Sequence, residues 1–113
     1  MVIQTTERRD FAAYDLQRVR ELAASGRVRF AGRAALRDSE NLGYAPDDVW
    51  QCLCALTPDL FKHSECYPPA SKWHDVYGMR WRSPGGAVDD LYIKLRLGDG
   101  CLLVQLCSFH RDR

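Results

Sequence analysis

Residues 88–97, VDDLYIKLRL, alternate between polar and apolar side chains over four consecutive pairs. The odd positions from 91 to 97 are all leucine or isoleucine, whereas the even positions from 90 to 96 are Asp, Tyr, Lys and Arg. A period of two is typical of a β-strand that buries one face and leaves the other in water. We therefore predict a strand here, and we call the side carrying the even positions the open face.

Three neighbouring segments have the same character and complete a predicted sheet. Short connections rich in Pro and Gly separate them, and such connections join only antiparallel neighbours. The second half of the chain is thus predicted to form one antiparallel sheet. Its other segments are residues 61–67, 72–82 and 101–110.

The first half of the chain shows helical periodicity instead. A first helix is predicted from Phe11 to the stop signal Ser25-Gly26, with a short strand at Val28–Phe30 after it. A second helix is expected to end near Leu42-Gly43, and a third runs from Pro46 to about Thr57-Pro58. The fold class is therefore α+β, with the helices covering one face of the sheet.

Length and composition exclude several classes of protein. The chain has 113 residues, of which 46% are hydrophobic and 27% charged, as expected of one folded domain. Its net charge of +1 excludes a broad electrostatic binder, but residues 61–113 hold 8 basic and 6 acidic side chains (net +2) and all three histidines. A site for an anion is therefore expected in the second half.

The cysteines and the absence of targeting signals restrict the metal content, the disulfides and the location that we expect. Five cysteines without a C-x-x-C pair predict neither a disulfide framework nor a zinc ribbon, and we expect no metal and no cofactor. A zinc site joining His63 and Cys66 to a distant cysteine pair is the alternative. Without a long apolar run or a signal-like start, the protein is predicted to be cytoplasmic.

Strand alternation predicts that several side chains able to bind an anion or transfer a proton share the open face. His63 follows Lys62 directly, so it is expected on the opposite face in a structural role. Half-solvated sheets often carry such residues without a function, so the face alone does not define a site. The side chains predicted on the open face are Lys62, His74, Tyr92 and His110, surrounded by Arg80, Lys94 and Arg96.

Three segments resemble the MqsR family of toxins from bacterial type II toxin–antitoxin systems. These are KWHDVY at residues 72–77, DLYIKL at 90–95 and SFH at 108–110. The similarity covers nearly the whole chain after residue 14. We therefore divide the chain into an extension at residues 1–14, expected to be poorly ordered, and a single toxin domain at residues 15–113.

The resemblance implies a RelE-like fold and a definite activity. That activity is endonucleolytic cleavage of free mRNA at GC-containing triplets such as GCU, without a metal or the ribosome, which inhibits translation and growth. The resemblance also implies a cognate antitoxin with a zinc-binding domain and a helix-turn-helix domain. DNA would be contacted only through that antitoxin, and no membrane is involved.

The family's functional positions correspond here to Lys62, His74, Tyr92 and His110. The position of His74 is usually Gln in the family, and that of His110 is often Lys. Metal-free RNA cleavage needs one group to take the 2′-OH proton and another to protonate the leaving 5′-oxygen, and histidine suits both tasks. We therefore hypothesise that His74 and His110 are the acid–base pair, in an order left open.

Roles for the other residues follow from the same chemistry. Lys62 would stabilise the charged phosphorane, and Tyr92 would position the phosphate or assist proton transfer. The cations Arg80, Arg82 and Lys94 would hold the RNA backbone. Two alternatives remain: a non-catalytic nucleic-acid-binding or regulatory domain using the same face, and a protein-interaction module using a sheet edge or the helical layer.

Overall fold

A computed structural model describes residues 5–68, 72–98 and 100–112 of the chain. Over these residues it contains three helices and one six-stranded sheet, which confirms the predicted α+β class. The sheet order is β1-β3-β4-β5-β6-β2. The helices are α1 (Leu16–Ala24), α2 (Arg33–Asn41) and α3 (Pro46–Cys54), and the strands are β1 (Glu7–Arg9), β2 (Val28–Phe30), β3 (Phe61–Cys66), β4 (Trp73–Arg82), β5 (Val88–Gly98) and β6 (Leu103–Arg111).

Local sequence explains where the helices begin and end. The Asp15 side chain accepts a hydrogen bond from the backbone N–H of Gln17 and so caps α1. Gly26 then leaves the helix with a φ of +73°, a conformation that favours glycine. Pro46 occupies the first turn of α3, and the Asp48 carboxylate accepts the Ala45 N–H at 2.8 Å.

The helices pack on one face of the sheet, as predicted. Val19 of α1 and Val49 and Leu53 of α3 are fully buried against sheet residues that include Ile93 and Leu95 of β5. The alternating leucines and isoleucine of β5 thus belong to the core. Because this core covers one face only, the opposite face of β3 to β6 remains the open face.

The four C-terminal strands pair antiparallel in chain order, as predicted. The short strand β2 pairs parallel with β6 at the far edge, with Val28 opposite Val104. The sequence predicted the strand but not its partner. A parallel partner is possible because the connection from β2 to β6 passes through two helices and three strands.

The strand β1 was not predicted, since residues 1–14 were expected to be poorly ordered, with frayed ends and no strand. It pairs antiparallel with β3, with Arg8 opposite Glu65. The segment after it is also fastened to β4, because the fully buried Asp75 carboxylate accepts the N–H groups of Ala13 and Tyr14 at 2.9 and 3.0 Å. The expectation of fraying is therefore wrong for residues 7–9, and residues 1–4 lie outside the described part.

Candidate functional site

Tyr92 and His110 form the centre of the open face. They lie directly opposite each other on β5 and β6, and their rings stack with centroids 4.9 Å apart and planes only 6° apart. His110 Nδ1 lies 2.7 Å from the carbonyl oxygen of Arg111. Since a carbonyl can only accept, Nδ1–H donates, and Nε2 is the ring nitrogen left for proton transfer.

The Lys62 side chain extends over β4 toward Tyr92, through the gap left by the missing side chain of Gly78. Gly78 lies opposite Tyr92 and has no side chain, and a Cβ there would lie 2.5 Å from Lys62 Cε. The Lys62 ammonium lies 6.0 Å from the Tyr92 ring centroid and is hydrogen-bonded to the Asp112 carboxylate. We call Lys62, Tyr92, His110 and Asp112 the Gly78 cluster.

A shallow depression adjoins the Gly78 cluster. It has a volume of about 340 Å³ and includes Gly78 in its wall. Two of the predicted site residues, Lys62 and Arg80, line it, so a phosphate entering it would meet cationic side chains. Its other polar lining residues are Asp90 and Asp112.

Tyr92 is suited to donate a hydrogen bond. Burial raises the pKa of its phenol, and the Glu65 carboxylate adds to that rise, while Lys94 and Arg8 oppose it. The phenol therefore stays protonated at neutral pH. It can donate to a phosphate oxygen without changing its own charge.

His74 lies on the open face, as predicted, but away from the Gly78 cluster. It is four residues from Gly78 along β4, which corresponds to about 13 Å at the rise of a β-strand. The hypothesis that these two histidines act as a pair on one phosphate is therefore not supported by the register.

The surroundings of His74 favour its neutral form. Burial lowers the pKa of the ring, and the cations Lys94 and Arg96 lower it further, against a smaller opposite effect of Glu65. Its Nδ1 is buried and has no hydrogen-bond partner among the described residues. His74 is thus a neutral, half-buried group rather than an exposed cation.

The prediction that His63 points away from the open face is wrong. A β-bulge between Phe61 and His63 shifts the register, so that His63 pairs with Val76. Lys62 and His63 consequently both lie on the open face, although they are adjacent in sequence. Strict alternation cannot anticipate this arrangement, because a bulge adds one residue to the count on one strand only.

His63 belongs to a second group of side chains, built around a buried carboxylate. Its Nε2 lies 2.6 Å from Glu65 Oε1, and the side chain of Glu65 is only 3% exposed. The Lys94 ammonium lies 3.7 Å from Glu65 Oε2 and donates to the Tyr67 hydroxyl at 3.0 Å. We call His63, Glu65, Tyr67, His74 and Lys94 the Glu65 cluster.

The predicted RNA-binding cations lie on both sides of Gly78 on the open face. Arg80 and Arg82 are exposed on β4 on the far side of Gly78 from the Glu65 cluster, and Arg82 donates to the carbonyl of Gly86. Lys94 lies in the Glu65 cluster and is only 18% exposed. Arg8 on β1 was missed by sequence reasoning, because β1 itself was not predicted, although its position opposite Glu65 places it beside this surface.

The described residues contain neither a set of metal ligands nor a membrane-spanning helix. No group of three or more His, Cys, Asp or Glu side chains among them could hold a metal ion, and the five cysteines are free. In the same part of the chain no helix is long and apolar enough to cross a membrane.

The chain was compared with models of known protein families, and one of them matches most of its length. A family model described as "Motility quorum-sensing regulator, toxin of MqsA" matches residues 11–111. The chain belongs to the MqsR toxin family. Membership makes it a toxin of a toxin–antitoxin system and implies an antitoxin partner. The match confirms the resemblance noted from the sequence, and it starts at residue 11, inside the predicted extension.

This MqsR-family chain has no significant match among individual curated proteins. The residues that the resemblance assigned to function lie on its open face, three of them in the Gly78 cluster and His74 in the Glu65 cluster.

Proposed function

We propose that the protein is a metal-independent endoribonuclease that cleaves mRNA on the open face. The observation that carries the proposal is the meeting of Lys62, Tyr92 and His110 around the gap at Gly78. A cation and a neutral hydroxyl donor can stabilise the charged phosphorane, and an imidazole can transfer a proton to the leaving oxygen.

The reaction proposed is in-line attack of the 2′-oxygen on the adjacent phosphorus. The P–O5′ bond breaks as the 2′-O–P bond forms, leaving a 2′,3′-cyclic phosphate and a 5′-OH. Lys62 stabilises the negative charge that develops on the phosphorane, and its partner Asp112 holds the ammonium over the gap until RNA binds. Tyr92 donates a hydrogen bond to a non-bridging oxygen.

His110 is assigned the proton transfer to the leaving 5′-oxygen. Its position fits this role, because stacking on Tyr92 and the bond from Nδ1 to the Arg111 carbonyl fix the direction of Nε2. His74 is assigned a contact with RNA beyond the scissile phosphate, since it lies about 13 Å from Gly78 along the strand. Arg80, Arg82 and Lys94 are assigned to the RNA backbone.

The remaining parts of the proposal follow from family membership. The substrate is free mRNA, cut at GC-containing triplets such as GCU without the ribosome, and the consequence is arrest of translation and growth in the cytoplasm. The antitoxin is proposed to carry a zinc-binding domain that holds the toxin and a helix-turn-helix domain that binds DNA. The toxin itself would need no cofactor, and its site residues would all lie within residues 15–113.

Primer extension on an mRNA incubated with the purified protein and EDTA tests the proposal. We expect discrete stops at a short preferred sequence, and no stops with Lys62→Ala. Arg37→Ala is the matched control, because Arg37 is an exposed cation on α2 in the helical layer. Salt-sensitive RNA binding without cleavage would contradict the proposal in favour of a non-catalytic RNA-binding module, and absence of RNA affinity would contradict both.

A further inference from the structure

The reaction proposed above needs a second proton-transferring group, and the remaining candidate in the Gly78 cluster, the Asp112 carboxylate, is already bonded to the Lys62 ammonium. His110 can protonate the leaving oxygen, but the 2′-OH proton must go to a base on the opposite side of the phosphorus. The Lys62 ammonium and the Tyr92 hydroxyl are both hydrogen-bond donors. His74 lies four residues along the strand from Gly78, with Nδ1 buried.

His63 lies closer to Gly78 than His74 does. It pairs with Val76, which is two residues from Gly78 along β4, whereas His74 is four residues away. The bulge that puts Lys62 and His63 on the same face also places His63 beside the residue that reaches into the gap. Its side chain is 21% exposed, so RNA lying across β3 and β4 can touch it.

The hydrogen bond to Glu65 gives His63 the chemical form of a base. A carboxylate can only accept, so in the neutral imidazole Nε2–H donates to Glu65 Oε1 and the lone pair is on Nδ1. The carboxylate also stabilises the imidazolium that forms once Nδ1 takes a proton. Carboxylates that orient and stabilise a catalytic histidine act in this way in hydrolases of unrelated fold.

Glu65 places a buried negative charge on the face proposed to bind RNA. An anionic group there opposes the binding of phosphate, and burying a carboxylate is unfavourable unless it is paired. Here the buried carboxylate is paired with His63 and lies within 3.7 Å of the Lys94 ammonium. The arrangement is therefore expected to orient those two side chains, and His63 is the one with a ring nitrogen left to accept a proton.

We propose that His63, oriented by Glu65, is the general base of the cleavage reaction, an inference that rests on the function proposed above. The 2′-OH proton moves to His63 Nδ1 as the 2′-O–P bond forms. The P–O5′ bond breaks, and His110 Nε2–H delivers its proton to the 5′-oxygen. Proton exchange with water then restores neutral His63 and protonated His110.

The test compares two RNA oligonucleotides, one natural and one in which the scissile 5′-oxygen is replaced by sulfur, a leaving group that needs no acid. We expect His63→Ala to slow cleavage of both oligonucleotides by ~10²–10⁴-fold. His110→Ala is expected to slow the natural substrate by a similar factor but to recover with the sulfur-containing one. This contrast separates the base from the acid.

Two further measurements distinguish chemistry from folding. Added imidazole is expected to restore part of the activity of His63→Ala, which a misfolded variant would not allow. Glu65 is a positioning residue, so Glu65→Gln is expected to lower kcat by up to about 10⁴-fold while leaving KM within a few-fold. Arg37→Ala serves as the control for surface mutation.

Each outcome decides between the two proposals. If the wild type cleaves and His63→Ala and His63→Gln stay within a few-fold of it, the inference about His63 is overturned while the proposed function stands. A rise in KM alone, or a loss that imidazole does not restore, would also overturn it in favour of a binding role. If the wild type cleaves neither oligonucleotide, the proposed function itself fails.

Discussion

The two clusters on the open face differ in how far water reaches them. In the Gly78 cluster the side chains of Lys62 and Asp112 are 40% and 37% exposed, and their ion pair lies beside an open depression. In the Glu65 cluster the carboxylate is 3% exposed, and its partners cover it. One region of the face is open to a ligand, and in the other the buried carboxylate already has its partners.

This difference indicates how the two regions should respond to mutation. An exposed ion pair contributes little to folding, so changes in the Gly78 cluster should affect activity and spare stability. A buried carboxylate with defined partners contributes to folding, so changes in the Glu65 cluster should affect both. Measuring activity and stability on the same variants therefore separates the two regions.

Lys62→Ala is expected to reduce kcat for RNA cleavage by about 10²–10³-fold, because it removes the cation that stabilises the phosphorane. The melting temperature should stay close to that of the wild type, since the pair with Asp112 is half exposed. Gel assays on a single RNA and a thermal melt measure the two effects. An inactive variant with a strongly lowered melting temperature would argue that Lys62 is structural.

Glu65→Ala is expected to destabilise the fold by about 1–3 kcal/mol, because it removes a buried acceptor and leaves its partners unsatisfied. Asp112→Asn, in the open region, should cost no more than about 1 kcal/mol. Urea denaturation of both variants gives the comparison. Equal losses of stability would contradict the distinction between the two clusters.

Gly78→Ala is expected to lower activity about tenfold, on the scale of one weakened catalytic interaction, since about 1.4 kcal/mol corresponds to a factor of ten. The new methyl group would displace Lys62, whose Cε is 2.5 Å from the Cβ position. Stability should change little, because the obstructing atoms are the far end of a flexible side chain. Full activity would show that Lys62 does not need the gap.

Arg80→Ala and Arg82→Ala are each expected to weaken RNA binding and to reduce its salt dependence. For single-stranded RNA the slope of log K against log salt should fall by about 0.7 for each phosphate that the variant no longer neutralises. Fluorescence anisotropy with labelled RNA at several salt concentrations provides the slope. An unchanged slope would place the RNA elsewhere on the surface.

His74 is expected to produce a small pH dependence of stability. Its pKa is lowered by burial in the folded protein, so the unfolded chain binds more protons as the pH falls below about 6.5. Stability should therefore decrease from pH 7 to pH 5, and less so in His74→Gln. Urea midpoints at the two pH values measure this, and identical pH dependence in both proteins would contradict the lowered pKa.

Periodicity predicted most of the fold because each element follows one regular pattern. The four antiparallel strands, the three helices and the burial of Leu91 and Ile93 were all expected from the sequence. β1 was missed because Glu7–Arg9 is a short polar segment without an apolar periodicity, and its pairing with β3 cannot be predicted from such a pattern. The partner of β2 could not be predicted because only tertiary packing sets it.

The candidate site was predicted in composition but not in arrangement. Alternation placed Lys62, Tyr92 and His110 on one face, and the structure brings them together. Alternation in the sequence could not predict the distance from His74 to His110, because the separation of residues on different strands depends on the register between those strands. Nor could it place His63, whose side depends on a bulge that leaves no mark in the sequence.

The chemistry of the RNA ends tests the central claim most directly. A defined oligonucleotide incubated with the protein in EDTA, and analysed by mass spectrometry, should yield a 5′ fragment ending in a 2′,3′-cyclic phosphate and a 3′ fragment beginning with a 5′-OH. The same incubation with Lys62→Ala should leave the oligonucleotide intact. Fragments with a 3′-OH and a 5′-phosphate, or no cleavage by the wild type, would contradict 2′-OH attack at the Gly78 cluster.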